Sequence, residues 1–141
     1  MKYFSKSEKD TIKIAQNLGM ELRLEKKPRK GALVLALVGE LGVGKTTFVK
    51  AFLKLFGVKR RITSPTFLIM RRYGNIYHVD AYRIKDVKDL EILGFKEILN
   101  NKENLVLVEW ADKVKDILPK EVWWIRFKHG EKENERSIEI E

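Results

Sequence analysis

The residues whose spacing is most specific are Gly39-Glu40-Leu41-Gly42-Val43-Gly44-Lys45-Thr46, which have the form G-x-x-x-x-G-K-T. That pattern is the phosphate-binding P-loop. Phosphate oxygens must come within hydrogen-bonding distance of several successive backbone N–H groups, and a Cβ at Gly39 or Gly44 would obstruct that approach. The residues between, Glu40 to Val43, contribute backbone donors, and Thr47 follows in the first helical turn. A helix leaving the loop aims its dipole and its unpaired N–H groups at the same anion. Lys45 brings a mobile positive charge to the β- and γ-phosphates of ATP, and the Thr46 hydroxyl can ligate Mg²⁺. A glycine-rich turn could match by chance, so the flanking elements decide.

P-loop enzymes use an acid at the end of a second apolar strand to hold Mg²⁺ or its water shell. Asp80 follows Ile76-Tyr77-His78-Val79, and Glu109 follows Leu105-Val106-Leu107-Val108. Either acid taken alone is equally well read as a strand-end carboxylate capping a turn. Glu109 ends the more apolar strand and suits the metal side. Asp80 is then free to orient or deprotonate the attacking water. His78, inside a strand pattern, reads as a satisfied structural histidine. Trp123 and Trp124 read as packing residues on opposite faces of a strand, and Arg83 as either a phosphate-side cation or a salt-bridge partner.

The elements around these residues supply the context the loop needs. Ala32-Leu33-Val34-Leu35-Ala36-Leu37-Val38 is apolar throughout, as a strand covered on both faces must be. From Lys45 to Phe56, Phe48, Ala51, Phe52 and Leu55 share one helical face, and Gly57 ends the run. A buried strand therefore enters the loop and an amphipathic helix leaves it. Upstream, Ser5-Lys6-Ser7-Glu8 has the form of a capping box, predicting a helix over 6–18 that stops at Gly19. Lys26 to Gly31 reads as an exposed basic turn. Phe67 to Tyr73 and Ile76 to Asp80 form a hairpin across Gly74-Asn75, since both residue types tolerate positive φ. A helix over 87–99 is interrupted near Gly94. Trp123 to Lys128 and Arg136 to Ile140 flank a polar turn as two final strands.

This order predicts an α/β, P-loop NTPase-type three-layer sandwich whose mixed sheet is parallel at its centre and carries antiparallel hairpins at its edges. The 141 residues suit one domain spanning 1–141, and the hydrophobic fraction of 44% suffices for one core. The chain has no cysteine, which excludes disulfides and thiolate metal sites. No apolar run approaches the ~20 residues of a membrane-spanning helix, and none of signal-peptide length follows Met1, so a cytoplasmic location is expected. A net charge of +9 attracts polyanions, while 35% charged residues of both signs also suits a heat-adapted protein.

With these residues assembled, the chain resembles the TsaE family, also called YjeE, the ATPase component of bacterial tRNA threonylcarbamoyladenosine synthesis. The resemblance runs from Gly39 to Pro119. It rests on the P-loop through Thr47, then Ser64-Pro65-Thr66-Phe67, Tyr77-His78-Val79-Asp80-Ala81-Tyr82-Arg83, Leu93-Gly94-Phe95 and Glu109-Trp110, in that order. Family members more often have Asp and Ala where this chain has Glu40 and Val43, substitutions that keep the loop backbone usable. The resemblance implies ATP and Mg²⁺ as cofactors and the TsaB–TsaD heterodimer as partner. That pair builds the modification next to the anticodon, so tRNA is reached indirectly through it, and the ATPase resets it between turnovers. It further implies that Thr46 and Glu109 are magnesium-side residues and that Asp80 positions the water. Ser64-Pro65-Thr66 would be a switch segment near the γ-phosphate, with Ser64 and Thr66 on the nucleotide, and Trp110 would lie beside the nucleotide.

Two other classes compete. A small-molecule kinase needs an acceptor pocket and an Arg-bearing lid, and only Arg83 is at hand before Arg126. A non-enzymatic RNA-binding protein would use Lys26, Lys27, Arg29, Lys30, Lys59, Arg60, Arg61, Arg71 and Arg72, but these fall in separate segments without interleaved aromatics.

Overall fold

Strands with no charged residue between their ends need cover on both faces, and Leu33–Val38 is buried along nearly its whole length. The computed structural model describes residues 1–25, 28–40, 44–59, 61–62 and 69–141. In chain order its elements are β1 (Lys2–Ser5), α1 (Glu8–Leu24), β2 (Leu33–Val38), α2 (Lys45–Leu55), β3 (Met70–Tyr73), β4 (Ile76–Asp80), α3 (Lys88–Ile92), α4 (Phe95–Asn100), β5 (Leu105–Glu109), a 3-10 helix (Ala111–Ile117), β6 (Val122–His129) and β7 (Arg136–Ile140). They group into two compact units.

The first unit comprises Met1–Lys27, Gly39–Thr63 and Ile125–Glu141. Its β structure is antiparallel, with Tyr3 of β1 opposite Ile138 of β7 and Phe127 of β6 opposite the same Ile138. Phe48 of α2 meets the Phe127 ring edge-on at 5.4 Å and stacks with Phe52 at 6.3 Å. Each such buried ring contributes about 1.5–3 kcal/mol. Helix α1 corrects the sequence reading at both ends. Ser7, not Ser5, is the N-cap: its Oγ accepts from the Asp10 N–H at 3.2 Å, and the Asp10 carboxylate accepts from the Lys6 N–H at 3.0 Å. Ser5 is buried instead, its hydroxyl 2.7 Å from that of Thr11. Gly19 does not stop the helix. It is buried inside it, where a Cβ would stand 2.8 Å from Leu55 Cδ1 of α2, so the glycine permits a close helix crossing. Packing against α2 outweighs the ~1 kcal/mol propensity cost of a mid-helix glycine.

The second unit comprises Pro28–Val38 and Ser64–Trp124. Strands β2, β5 and β4 are neighbours and parallel, in that order, and β3 adds antiparallel to β4 through the Gly74-Asn75 turn. Alternation divides the strand residues between two faces. Val34, Ala36, Tyr77, Val79, Val106 and Val108 face a core completed by Leu90, Phe95, Ala111 and Val114 from the helices. Leu33, Leu35, Leu37, His78, Leu107 and Glu109 take the other face and are buried too. The helical stretch predicted over 87–99 is two short helices broken at Gly94, which has φ 78°. β1 and the 3-10 helix are additions that the sequence reading lacks. Among the described residues no helix is long and apolar enough to cross a membrane.

Candidate functional site

The phosphate-loop residues belong to the first unit. Gly44 heads α2 with φ 90°, the left-handed region. A Cβ there would meet only Thr11 Cγ2, at 3.9 Å, so the backbone angle, more than lack of space, requires the glycine. Helix α2 begins with no side-chain cap and no acid in its first turn. Its first N–H groups have no intrahelical acceptor, and the positive end of its dipole favours an anion. Lys45 is 5% exposed, and its Nζ donates to the Gly39 carbonyl at 2.5 Å, folding the ammonium back over the loop entrance. Thr46 and Glu40 are exposed, and Thr47 and Gly39 half-buried. Leu41, Gly42 and Val43 lie outside the described residues, as do Lys26, Lys27, Arg60, Ser64, Pro65, Thr66 and Phe67.

The two acids belong to the second unit, which brings them together. In the parallel register Asp80 of β4 is opposite Glu109 of β5, and Glu109 is opposite Leu37 of β2, two residues before Gly39 in the chain. All three residues sit at the carboxyl ends of their strands, where ligands of open parallel sheets bind. The Ala81 N–H donates to the Glu109 carbonyl at 3.0 Å, tying the two strand exits together. Their side chains differ in setting. Asp80 is half-buried, and its Oδ1 accepts from the Tyr82 N–H at 3.0 Å, so it does cap a turn while remaining reachable. Glu109 is 6% exposed and its Oε2 lies 2.6 Å from His78 Nε2.

Trp110 follows Glu109 with φ 57°, the only positive φ among described non-glycine residues. That conformation costs about 1–2 kcal/mol. The turn swings the half-buried indole against Tyr82, with ring centres 4.9 Å apart. Lys113 donates from Nζ to the Tyr82 carbonyl and lies 5.0 Å from the centre of its ring. Arg83 is exposed. Lys113, the Tyr82–Trp110 ring contact and the His78–Glu109 contact are absent from the sequence reading. For the last, alternation puts His78 on the face of Asp80, but only the β4–β5 register brings Glu109 to that face.

Within the first unit, a helix N-terminus free of acids, a buried lysine and an exposed hydroxyl at Thr46 suit a phosphate group; within the second, two acids with separate tethers suit a hydrated cation. Among the described residues no three His, Asp or Glu side chains gather as a self-sufficient metal cage. Magnesium held mostly by phosphate oxygens and water requires none.

A family model described as "Threonylcarbamoyl adenosine biosynthesis protein TsaE" matches residues 5–138. The tRNA threonylcarbamoyladenosine biosynthesis protein TsaE of Bacillus subtilis (strain 168) is 41% identical over 109 residues, covering 74% of this chain and 66% of that protein. The Rickettsia conorii protein of the same name is 39% identical over 117 residues, 79% of this chain and 62% of its own. The chain thus spans just under two thirds of those two relatives. The Aquifex aeolicus counterpart is 37% identical over 115 residues, 77% of this chain and 75% of its own. Among solved structures, Bacillus subtilis YdiB superposes with a TM-score of 0.74 at 28% identity, over 99% of this chain and 83% of that one.

Proposed function

The chain belongs to the TsaE family of threonylcarbamoyl adenosine biosynthesis proteins, and from that premise we propose that it is the ATP-binding and ATP-hydrolysing subunit supporting formation of threonylcarbamoyladenosine beside the tRNA anticodon. The observation that carries the nucleotide part is the start of α2: left-handed Gly44, no capping side chain, no acid in the first turn, and a buried Lys45. Such a terminus favours an anion.

On this reading the loop from Gly39 to Thr47 grips the β- and γ-phosphates, and Lys45 exchanges its carbonyl contact for phosphate oxygen. The Thr46 hydroxyl and the Glu109 carboxylate would hold Mg²⁺, which supplies charge neutralisation across the phosphate oxygens when bound. Asp80, whose Oδ1 accepts from the Tyr82 N–H, orients the attacking water. Ser64 and Thr66 act as the γ-phosphate sensor, and Trp110 flanks the nucleotide. The 141 residues work as one ATPase domain in the cytoplasm, docking on the TsaB–TsaD pair and reaching tRNA through it.

Calorimetric titration with ATP, with and without Mg²⁺, tests the binding, and steady-state phosphate release tests the hydrolysis. Tight ATP binding and slow phosphate release without an acceptor are expected. Failure to bind ATP would sink the reading, and phosphate transfer only on adding a small-molecule acceptor would return the kinase to the front.

A further inference from the structure

We propose that His78 is the positioning residue for the Glu109 carboxylate, locking one of its oxygens so that the other faces the metal side. The proposal rests on the reading of Glu109 as the magnesium-side acid. His78 is 2% exposed and Glu109 6%, and Nε2 and Oε2 are 2.6 Å apart. Register brings them together: His78 of β4 pairs with Leu107 of β5, so Glu109 is its diagonal neighbour on the same face of two parallel strands.

The hydrogen-bond inventory selects one form of the ring. Nδ1 of His78 is buried with no hydrogen-bond partner among the described residues. A proton on Nδ1 would leave a buried donor unmet and set the Nε2 lone pair against a carboxylate oxygen. A proton on Nε2 makes a charge-assisted N–H···O bond and leaves only an acceptor unmet, the less costly deficit. The ring therefore donates to Oε2, which consumes that oxygen's inward lone pair and stops rotation of the carboxylate. Oε1 is left for the cation or a water bound to it. Buried partners of metal-side carboxylates act in this way, and losing one typically lowers metal affinity about 10–100-fold. The two neighbouring acids thereby acquire different freedoms. Glu109 is clamped by a buried ring, whereas Oδ1 of the half-buried Asp80 accepts from a turn amide.

The test measures, on the full chain, the Mg²⁺ concentration needed for half-maximal enhancement of ATP binding, with excess EDTA as the metal-free control. His78→Leu keeps similar bulk without a donor, and His78→Gln keeps an N–H near the Nε2 position. The Leu variant should need about tenfold more Mg²⁺ or beyond, with metal-free ATP affinity unchanged, and the Gln variant should stay near wild type. An unchanged Mg²⁺ requirement in His78→Leu overturns the proposal, as does equal impairment of both variants, which would mark a packing role. Wild-type protein that binds ATP equally well in EDTA overturns the magnesium reading itself and this inference with it. Nitrogen NMR of the wild-type ring decides the matter if the Leu variant does not fold: a proton on Nε2 is expected, and a proton on Nδ1 overturns it.

Discussion

Lys45 is almost wholly buried, an uncommon setting for a lysine, with its Nζ donating to the Gly39 carbonyl. Lys45→Ala removes a charged hydrogen bond contributing about 1.5–3 kcal/mol, so ATP affinity should fall roughly tenfold or more by calorimetry. Unchanged affinity in a folded variant would remove the lysine from the site. The acids separate in the same way. Glu109→Ala should weaken magnesium-dependent ATP binding, whereas Asp80→Asn should leave binding intact and slow phosphate release, because an amide oxygen takes up no proton. Equal loss of binding in both variants would contradict that division. Trp110, turned onto Tyr82 by its left-handed backbone, should report nucleotide binding through its fluorescence. Trp110→Phe should abolish the change; a signal persisting from Trp123 or Trp124 would make Trp110 a core residue only.

Among the elements, the turn ahead of β2 is tightly constrained by backbone. A Cβ on Gly31 would lie 2.6 Å from the Leu99 carbonyl oxygen, which accepts the Ala32 N–H at 2.9 Å. Backbone cannot yield as a side-chain tip can. Gly31→Ala should therefore cost about 2 kcal/mol or more by loss of that buried bond and added strain, read as a lower urea midpoint. Gly74, with open space around it, makes the comparison: Gly74→Ala carries only the ~1–2 kcal/mol of its left-handed φ. If both variants lose the same stability, close approach is not what Gly31 provides. The N-cap offers a second measurement. Ser7→Ala should cost about 1 kcal/mol and speed hydrogen exchange at the Asp10 amide.

For the whole molecule, the proposed chemistry has a cradle, a metal hydroxyl and two acids, and among the described residues exposed Arg83 is the nearest candidate for a second cation. In P-loop proteins a cation supplied in trans can be worth about 10³–10⁵ in rate. The protein alone should therefore hydrolyse ATP slowly, and the TsaB–TsaD pair, with tRNA, should accelerate it. Steady-state phosphate release with each component added in turn makes the measurement. A high rate in isolation that the pair leaves unchanged would count against coupling. The charge of +9 admits a direct tRNA contact, which would appear as steep salt dependence in the absence of nucleotide.

What the sequence determined by itself was everything governed by neighbours in the chain. The uncharged runs ending at Val38 and Glu109 had to be covered strands, the Phe48–Phe52 face had to be buried, and Gly74-Asn75 had to turn. The phosphate-loop motif could be read for the same reason, since the work proposed for it belongs to consecutive backbone groups. Tertiary structure decided what depends on partners far along the chain. Helix α1 passes Gly19 because α2 lies against it. β1 is four residues long, too short for any period to register, and exists by pairing with β7 at the other end of the sequence. His78 read as a structural histidine because nothing within its own strand said which face Glu109 would share. The parallel register of β4 and β5 joined two residues 31 positions apart, and strand register is set by the packing of whole faces rather than by any local residue.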